Sequence, residues 1–192
     1  MSAFEPMKIK LRDGRTVLIR TPTLDDAQGM RDYLDALRVE APHIMFSPQD
    51  ELPTLQQERE FLASGFGPDA LRIVAEHGGE IVASASVTRM KMFKTRHRST
   101  LGIGIRAPWR GVGLGKHLMQ ELIRFARRHP EIEQIELCVF VENVVAHQLY
   151  EKLGFEVFGK LTAAVRHADG RTDDEWLMRL ATPYPEPPSP RD

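Results

Sequence analysis

A single cysteine, Cys138, excludes an internal disulfide framework and any multi-cysteine metal knot. No apolar run approaches the ~18 residues of a membrane-spanning helix, and Met1 to Lys10 lacks the apolar core of a signal peptide. Charge of one sign is missing as well. Lys and Arg number 26 against 27 Asp and Glu, for a net charge of −1. A dedicated nucleic-acid binder carries a basic surplus, so composition argues against that class. The expectation is a cytoplasmic protein with neither membrane nor nucleic acid as partner. What remains is a 192-residue chain, 42% hydrophobic and 28% charged, long enough to bury one core.

Proline gathers at the end. Five of the thirteen prolines fall in Thr182 to Asp192, so a disordered or extended tail is expected over 182–192 and a single domain over 9–181. The first eight residues are expected to be loose. Between these ends the elements alternate. Thr16 to Arg20 reads as a strand, and Leu24 to Val39 as a helix with Asp25 and Asp26 in its first turn. Thr54 is an N-cap for a second helix through Phe66, bounded by Pro53 and by Gly65 and Gly67. Leu71 to Glu76 and Ile81 to Thr88 flank His77-Gly78-Gly79, a hairpin signal. Ser99 to Ile105 is a strand whose Gly102 and Gly104 suggest a bulge or a close approach to the backbone.

The second half is clearer. Leu114, Leu118, Leu122, Phe125 and Ala126 recur at helical spacing, and Pro130 ends that helix. Gln134 to Val141 reads as a strand. Asn143 caps a helix whose apolar face is Ala146, Leu149, Tyr150 and Leu153, with Gly154 at C′. Phe155 to Val165 and Glu175 to Leu180 close the fold around an Asp169-Gly170 turn. The order β-α-α-β-β-β-α-β-α-β-β predicts a mixed α/β domain. Cys138, mid-strand, reads as buried packing. The histidines lack ligand spacing, so no metal is implied.

The stretch Arg110-Gly111-Val112-Gly113-Leu114-Gly115-Lys116 joins a strand to the strongest helix. Glycines let backbone N–H groups approach an anion, and a helix N-terminus adds unpaired donors, so the turn suits a phosphate or pyrophosphate. A dinucleotide fingerprint needs glycine at Lys116 or Leu118, and a P-loop needs glycine at Arg110 with Ser or Thr at His117. Both fail.

What the stretch matches is Arg/Gln-x-x-Gly-x-Gly/Ala, as Arg110, Gly113 and Gly115. That pattern resembles the acyl-coenzyme A pyrophosphate loop of the Gcn5-related N-acetyltransferase (GNAT) superfamily. Pro108-Trp109-Arg110 looks like its lead-in. Asn143-x-x-Ala146-x-x-Leu149-Tyr150-x-x-x-Gly154-Phe155 looks like the family's second half-motif. About 100 residues, Ile81 to Leu180, are covered, and the run from Ile135 to Asn143 is similar to bacterial members that acetylate small amines, amino acids included. The resemblance implies a mostly antiparallel central sheet flanked by about four helices.

It also implies roles, one residue at a time. The backbones of Ile103 and Ile105 would pair with the pantetheine of acetyl-CoA, and the Ile105 N–H would face the developing oxyanion. Backbone N–H groups of Arg110, Gly111, Val112, Gly113, Leu114, Gly115 and Lys116 would hold the pyrophosphate, with the Arg110 side chain as a further phosphate contact. Asn143 would reach the pantetheine arm, although its N-cap role stands by itself. Tyr150 alone would read as a half-buried aromatic; the motif makes its hydroxyl the general acid for the departing thiolate. Several relatives carry a glutamate base where Ser99 stands here, so the base is unassigned, with His97 or a water chain as candidates. The cation-rich segment 89–98 around His97 also reads as an ordinary solvated loop. The expected reaction is direct transfer of acetyl from acetyl-CoA to a primary amine of a small, amino acid-like molecule. A protein N-terminal or lysine amine is the alternative acceptor, and an acyl-CoA sensor that has lost catalysis is the alternative class. Oligomeric state is left open, with a homodimer allowed.

Overall fold

The computed structural model describes residues 4–64 and 67–182. Alternation and helical spacing are realised as eight strands and four α-helices among those residues, a mixed α/β fold whose strand pairing is mostly antiparallel. Two compact units emerge: Met1–Ser86 with Gly102–Leu122, and Val87–Leu101 with Ile123–Asp192.

In the first unit, β1 (Met7–Lys10) pairs antiparallel with β2 (Thr16–Arg20), and β2 with β3 (Ala70–His77). β4 (Glu80–Arg89) and β5 (Arg98–Ile105) follow in order, each running on into the second unit. The core here joins Ala27, Met30, Tyr33 and Leu37 of α1 (Ala27–Glu40) to Leu62 of α2 (Leu55–Ser64) and to Val74 and Ile81. α1 is preceded by a short 3-10 turn, Leu24–Asp26, in place of one unbroken helix. Asp26 is why. Its carboxylate closes a capping box on Thr23 and takes two hydrogen bonds of 2.7 Å from Arg20, whose Nε also donates to Glu76 at 2.8 Å. Thr54 caps α2 as expected, its Oγ1 accepting from Gln57 N while Gln57 Oε1 accepts from Thr54 N. Gly65 and Phe66, the expected end of that helix, lie outside the described residues.

In the second unit, β5 pairs parallel with β6 (Gln134–Phe140) over Arg98↔Gln134, Ser99↔Ile135 and Thr100↔Glu136. β6 pairs antiparallel with β8 (Thr172–Ala181), and β8 with β7 (Glu156–Arg166). α3 (Leu114–Arg128) ends before Pro130, and α4 (Val144–Lys152) carries the Asn143 cap, Oδ1 accepting from Ala146 N at 3.2 Å.

Three expectations at the ends and in the middle are corrected. The N-terminal residues are not all loose, because the 7–10 segment finds a β2 partner and the fold begins before residue 9. Thr182 belongs to the fold rather than the tail: it is buried, its Oγ1 donates to Ile132 O at 2.6 Å and its N–H to Glu133 O at 2.8 Å. The remaining tail, 183–192, lies outside the described residues. Cys138 is exposed, since alternation along β6 turns Leu137 and Val139 inward and the thiol outward. Its pKa is raised by desolvation and by the Glu175 and Glu136 carboxylates, which leaves it a poorer nucleophile than a free cysteine.

These carboxylates predict an acid sensitivity. The Arg20 hydrogen bonds hold the Asp26 pKa below the ordinary value, Arg106 does so for Glu40, and Arg98 for Glu136. A depressed folded pKa gives stability that is present above the unfolded value, ~3.9–4.3, and is lost as pH falls through the folded one. The melting temperature is therefore expected to drop between pH 5 and 3, and Asp26→Asn to flatten part of that slope. Thermal melts of both proteins across this range check it; equal slopes would show that the Arg20–Asp26 pair does not couple to folding.

Candidate active site

The glycine turn follows a 3-10 turn at Ala107–Trp109 and ends where α3 begins, with Gly111 at φ 74° and Gly113 at φ 96°. Arg12, in the β1–β2 hairpin, braces it. Its N–H donates to Val112 O at 3.1 Å and its Nη2 to Gly111 O at 3.0 Å. In a planar trans peptide the N–H points opposite to the C=O. Holding these two carbonyls therefore turns the amides of Val112 and Gly113 the other way, beside the free donors of the helix start. A Cβ on Gly113 would meet Arg12 Nε only in ordinary contact at 3.4 Å, so it is the backbone conformation at φ 96° that selects glycine. Nothing local in the sequence pointed to Arg12, which acts on a loop about a hundred residues away.

Arg110 precedes this loop, and its guanidinium is already engaged. Nε donates to Ile105 O at 2.8 Å and Nη1 to Glu40 O at 3.1 Å. Glu40 in turn takes Arg106 Nε and Nη2 at 2.9–3.1 Å and the Ala107 N–H at 2.8 Å. The end of α1 is thus tied to the exit of β5, holding the Ile105 segment in place. Trp109 is buried, with the Arg15 guanidinium 3.8 Å from its ring centroid and Arg15 Nη2 on Pro108 O at 2.7 Å.

Gly104, between Ile103 and Ile105, is the β5 glycine that the packing requires. A Cβ there would collide with the Tyr33 hydroxyl and Leu37, so the close approach inferred from sequence is made by α1. Tyr33 is 3% exposed, and burial raises its phenol pKa, opposed in part by a Ser84 backbone hydrogen bond. A cavity of about 600 Å³ opens on this side, bordered by Tyr33, Gly102, Ile103, Gly104, Phe61 and Glu58. It lies wholly within the first unit, between the 24–67 region, where no motif was visible, and the β4 and β5 residues Ser84–Ser86 and Gly102–Gly104.

In the second unit, Tyr150 is 6% exposed on the inner face of α4, its ring 5.8 Å from that of Phe155. Burial pushes its phenol pKa up to about 12. A group that holds its proton so firmly is a hydrogen-bond donor throughout the neutral range. Ser99 is buried and donates from Oγ to Gln134 O at 3.1 Å. His97 falls outside β5, its carbonyl accepting from Glu133 and Gln134 N–H groups. The arginines around it are paired: Arg89 and Arg96 with Glu131, Arg98 with Glu136.

The model of the Acetyltransferase (GNAT) family matches residues 32–155. The L-amino acid N-acetyltransferase AaaT of Escherichia coli K12 is 30% identical over 92 residues, 48% of this chain and 57% of that protein, so the chain spans little more than half of that curated relative. An acetyltransferase of the GNAT family from Streptococcus pneumoniae superposes with a TM-score of 0.82 at 25% identity, over 86% of this chain and 99% of that one. Salmonella typhimurium yncA, solved with its cofactor acetyl-CoA, superposes at 0.77 and 19% identity, over 90% and 98%, a likeness of fold. The glycine turn on its helix and the matched span through Phe155 make this chain a member of the GNAT family of acetyltransferases.

Proposed function

We propose that the chain transfers acetyl from acetyl-CoA to a primary amine of a small, amino acid-like molecule. The observation that carries this is the Arg110–Lys116 turn, whose carbonyls are drawn back by Arg12 while glycines and a helix start present donors. Such a cradle fits a pyrophosphate. The turn backbone would hold that group, with Arg110 able to add a phosphate contact by releasing a backbone carbonyl. Ile103 and Ile105 would pair with the pantetheine through their backbones, and Asn143 would meet the same arm. The Ile105 N–H would steady the oxyanion as the amine attacks the thioester, and Tyr150 would protonate the leaving thiol. Bound acetyl-CoA supplies the activated acyl group. The likeness to an L-amino acid N-acetyltransferase supports the acceptor class.

The test is coenzyme A release across amino acids, their amides, polyamines and peptides. An acceptor must lose its ammonium proton, and its pKa sets the cost. An ε-amine of pKa ~10.4 is neutral in about one molecule in 2,500 at pH 7, against roughly one in ten for a peptide-like α-amine of ~7.7–8.0. The difference is about 3 kcal/mol at ~1.36 kcal/mol per unit. An amino acid amide is expected to exceed a polyamine in kcat/KM at pH 7 by one to two orders of magnitude; a polyamine that wins at that pH refutes the preference.

A further inference from the structure

Among the described residues, Glu58 carries a buried carboxylate oxygen without a hydrogen-bond partner. It stands on α2 one turn before Leu62, the other buried residue of that helix, and is itself 2% exposed. It borders the 600 Å³ cavity, and its buried Oε1 has no hydrogen-bond partner among the described residues. A buried carboxylate without a partner is costly, and sequences retain such groups where a ligand completes them.

The surrounding charges are committed elsewhere. Arg31 of α1 gives its Nε to Pro53 O at 2.6 Å. Arg72 of β3 gives Nη1 to Phe61 O at 2.7 Å and lies 3.7 Å over the Phe61 ring. Both act on Glu58 only through space, and Tyr33 of α1 is the remaining titratable side chain on the cavity wall. Gln57, the neighbour on α2, is spent on the Thr54 cap. The rest of the wall is largely apolar, including Met30, Leu34, Ile44, Met45, Phe46 and Phe61. One carboxylate in an apolar cavity selects a cation carried on an apolar body.

We propose that Glu58 is the carboxylate on which the acceptor's ammonium docks and to which it gives up its proton. The inference rests on the acetyl-transfer reading and supplies the base that Ser99 cannot. An N–H bond of the ammonium breaks and an O–H bond forms on Glu58. The freed lone pair attacks the thioester carbon, the C–N bond forms and the C–S bond breaks. The thiolate takes the Tyr150 proton, the new amide nitrogen gives up its second proton through solvent to restore Tyr150, and Glu58 returns its own to solvent. Burial already raises the Glu58 pKa, opposed by Arg72 and Arg31, which brings the carboxylate closer to an amine in basicity.

L-leucinamide serves as the cationic, apolar-bodied probe, and 4-methylpentanamide, which lacks the amine, as its neutral counterpart. Binding to the coenzyme A-loaded protein is measured by calorimetry, and turnover with acetyl-CoA as kcat/KM against pH. Glu58→Gln is expected to weaken leucinamide roughly 30-fold or more while leaving the neutral amide unchanged. It is expected to lower kcat/KM at pH 7 by about tenfold or more, with roughly tenfold recovered near pH 9.5, where an amine about one-tenth neutral at pH 7 deprotonates itself. Glu58→Asp is expected to fall between the two. The thermal shift given by acetyl-CoA checks that each variant is folded. A raised carboxyl pKa means that ionisation at neutral pH works against folding, so Glu58→Gln should melt no lower than wild type at pH 7. Wild-type affinity and kcat/KM in the Gln variant would overturn the proposal, as would an equal loss for the neutral amide. Glu58-dependent leucinamide binding with no coenzyme A release from any amine would uphold docking and sink the transfer reading instead.

Discussion

Gly113→Ala is expected to abolish the thermal stabilisation given by acetyl-CoA. A ligand at 100 times its Kd stabilises a native state by about 2.7 kcal/mol. For a chain of this size that raises the melting temperature by roughly 5–10 °C. Gly113 sits at φ 96° with Arg12 Nε 3.4 Å from the position of a Cβ. Alanine there is strained by ~1–2 kcal/mol in the turn whose Gly111 carbonyl is held by the Arg12 side chain and whose Val112 carbonyl is held by the Arg12 N–H. Relaxation rotates those peptides and takes the donors away from the anion. The strain itself needs a control, which Gly170 supplies: φ is 85° in the β7–β8 turn, with nothing within 4 Å of a Cβ. Gly170→Ala should lower the melting temperature of the free protein comparably yet keep the whole acetyl-CoA shift. If Gly113→Ala also keeps it, the pyrophosphate does not bind on this turn.

What the sequence disclosed and what it hid follow one physical rule. Features set by neighbours along the chain were legible. The spacing of Leu114, Leu118 and Leu122 marks a helix face, Asn143 caps the helix that follows it, and the glycine turn carries its conformation in its own residues. Features set by distant partners were not. Arg12 reaches Gly111 and Arg106 reaches Glu40 across 99 and 66 positions, and no local pattern encodes either pair. β1 exists only because β2 offers it a partner. The apolar neighbours of Cys138 suggest a buried run, whereas alternation along β6 puts it opposite Leu137 and Val139. Glu58 left a fainter trace: it shares the stripe of Leu62, four residues on, and an acid on an apolar stripe marks either strain or a site.

Tyr150→Phe is expected to lower kcat by roughly 10²–10⁴-fold, the range of a positioned proton transfer. It should leave the fold and the acetyl-CoA shift nearly intact. The substitution keeps the ring, and the ring makes the contact with Phe155 at 5.8 Å. Only the hydroxyl goes. A phenol whose pKa is pushed up to about 12 is by that value alone too weak an acid for a thiolate whose ordinary conjugate pKa is ~8.5. The same loss of solvation that holds the phenol proton also raises the thiol, so the gap narrows at the moment the C–S bond breaks. The donor then needs only to share its proton with the charge that develops. A raised pKa has a second consequence with a definite sign. Tyr150 stays protonated until pH approaches 12, so kcat should show no falling limb between pH 7 and 10, whereas an acid of ordinary pKa would begin to fail at the upper end. Single-turnover rates of both proteins across that interval check the two expectations together. A Phe variant with wild-type kcat would return Tyr150 to packing alone, and a falling limb near pH 9 that persists in it would assign the acid to another group.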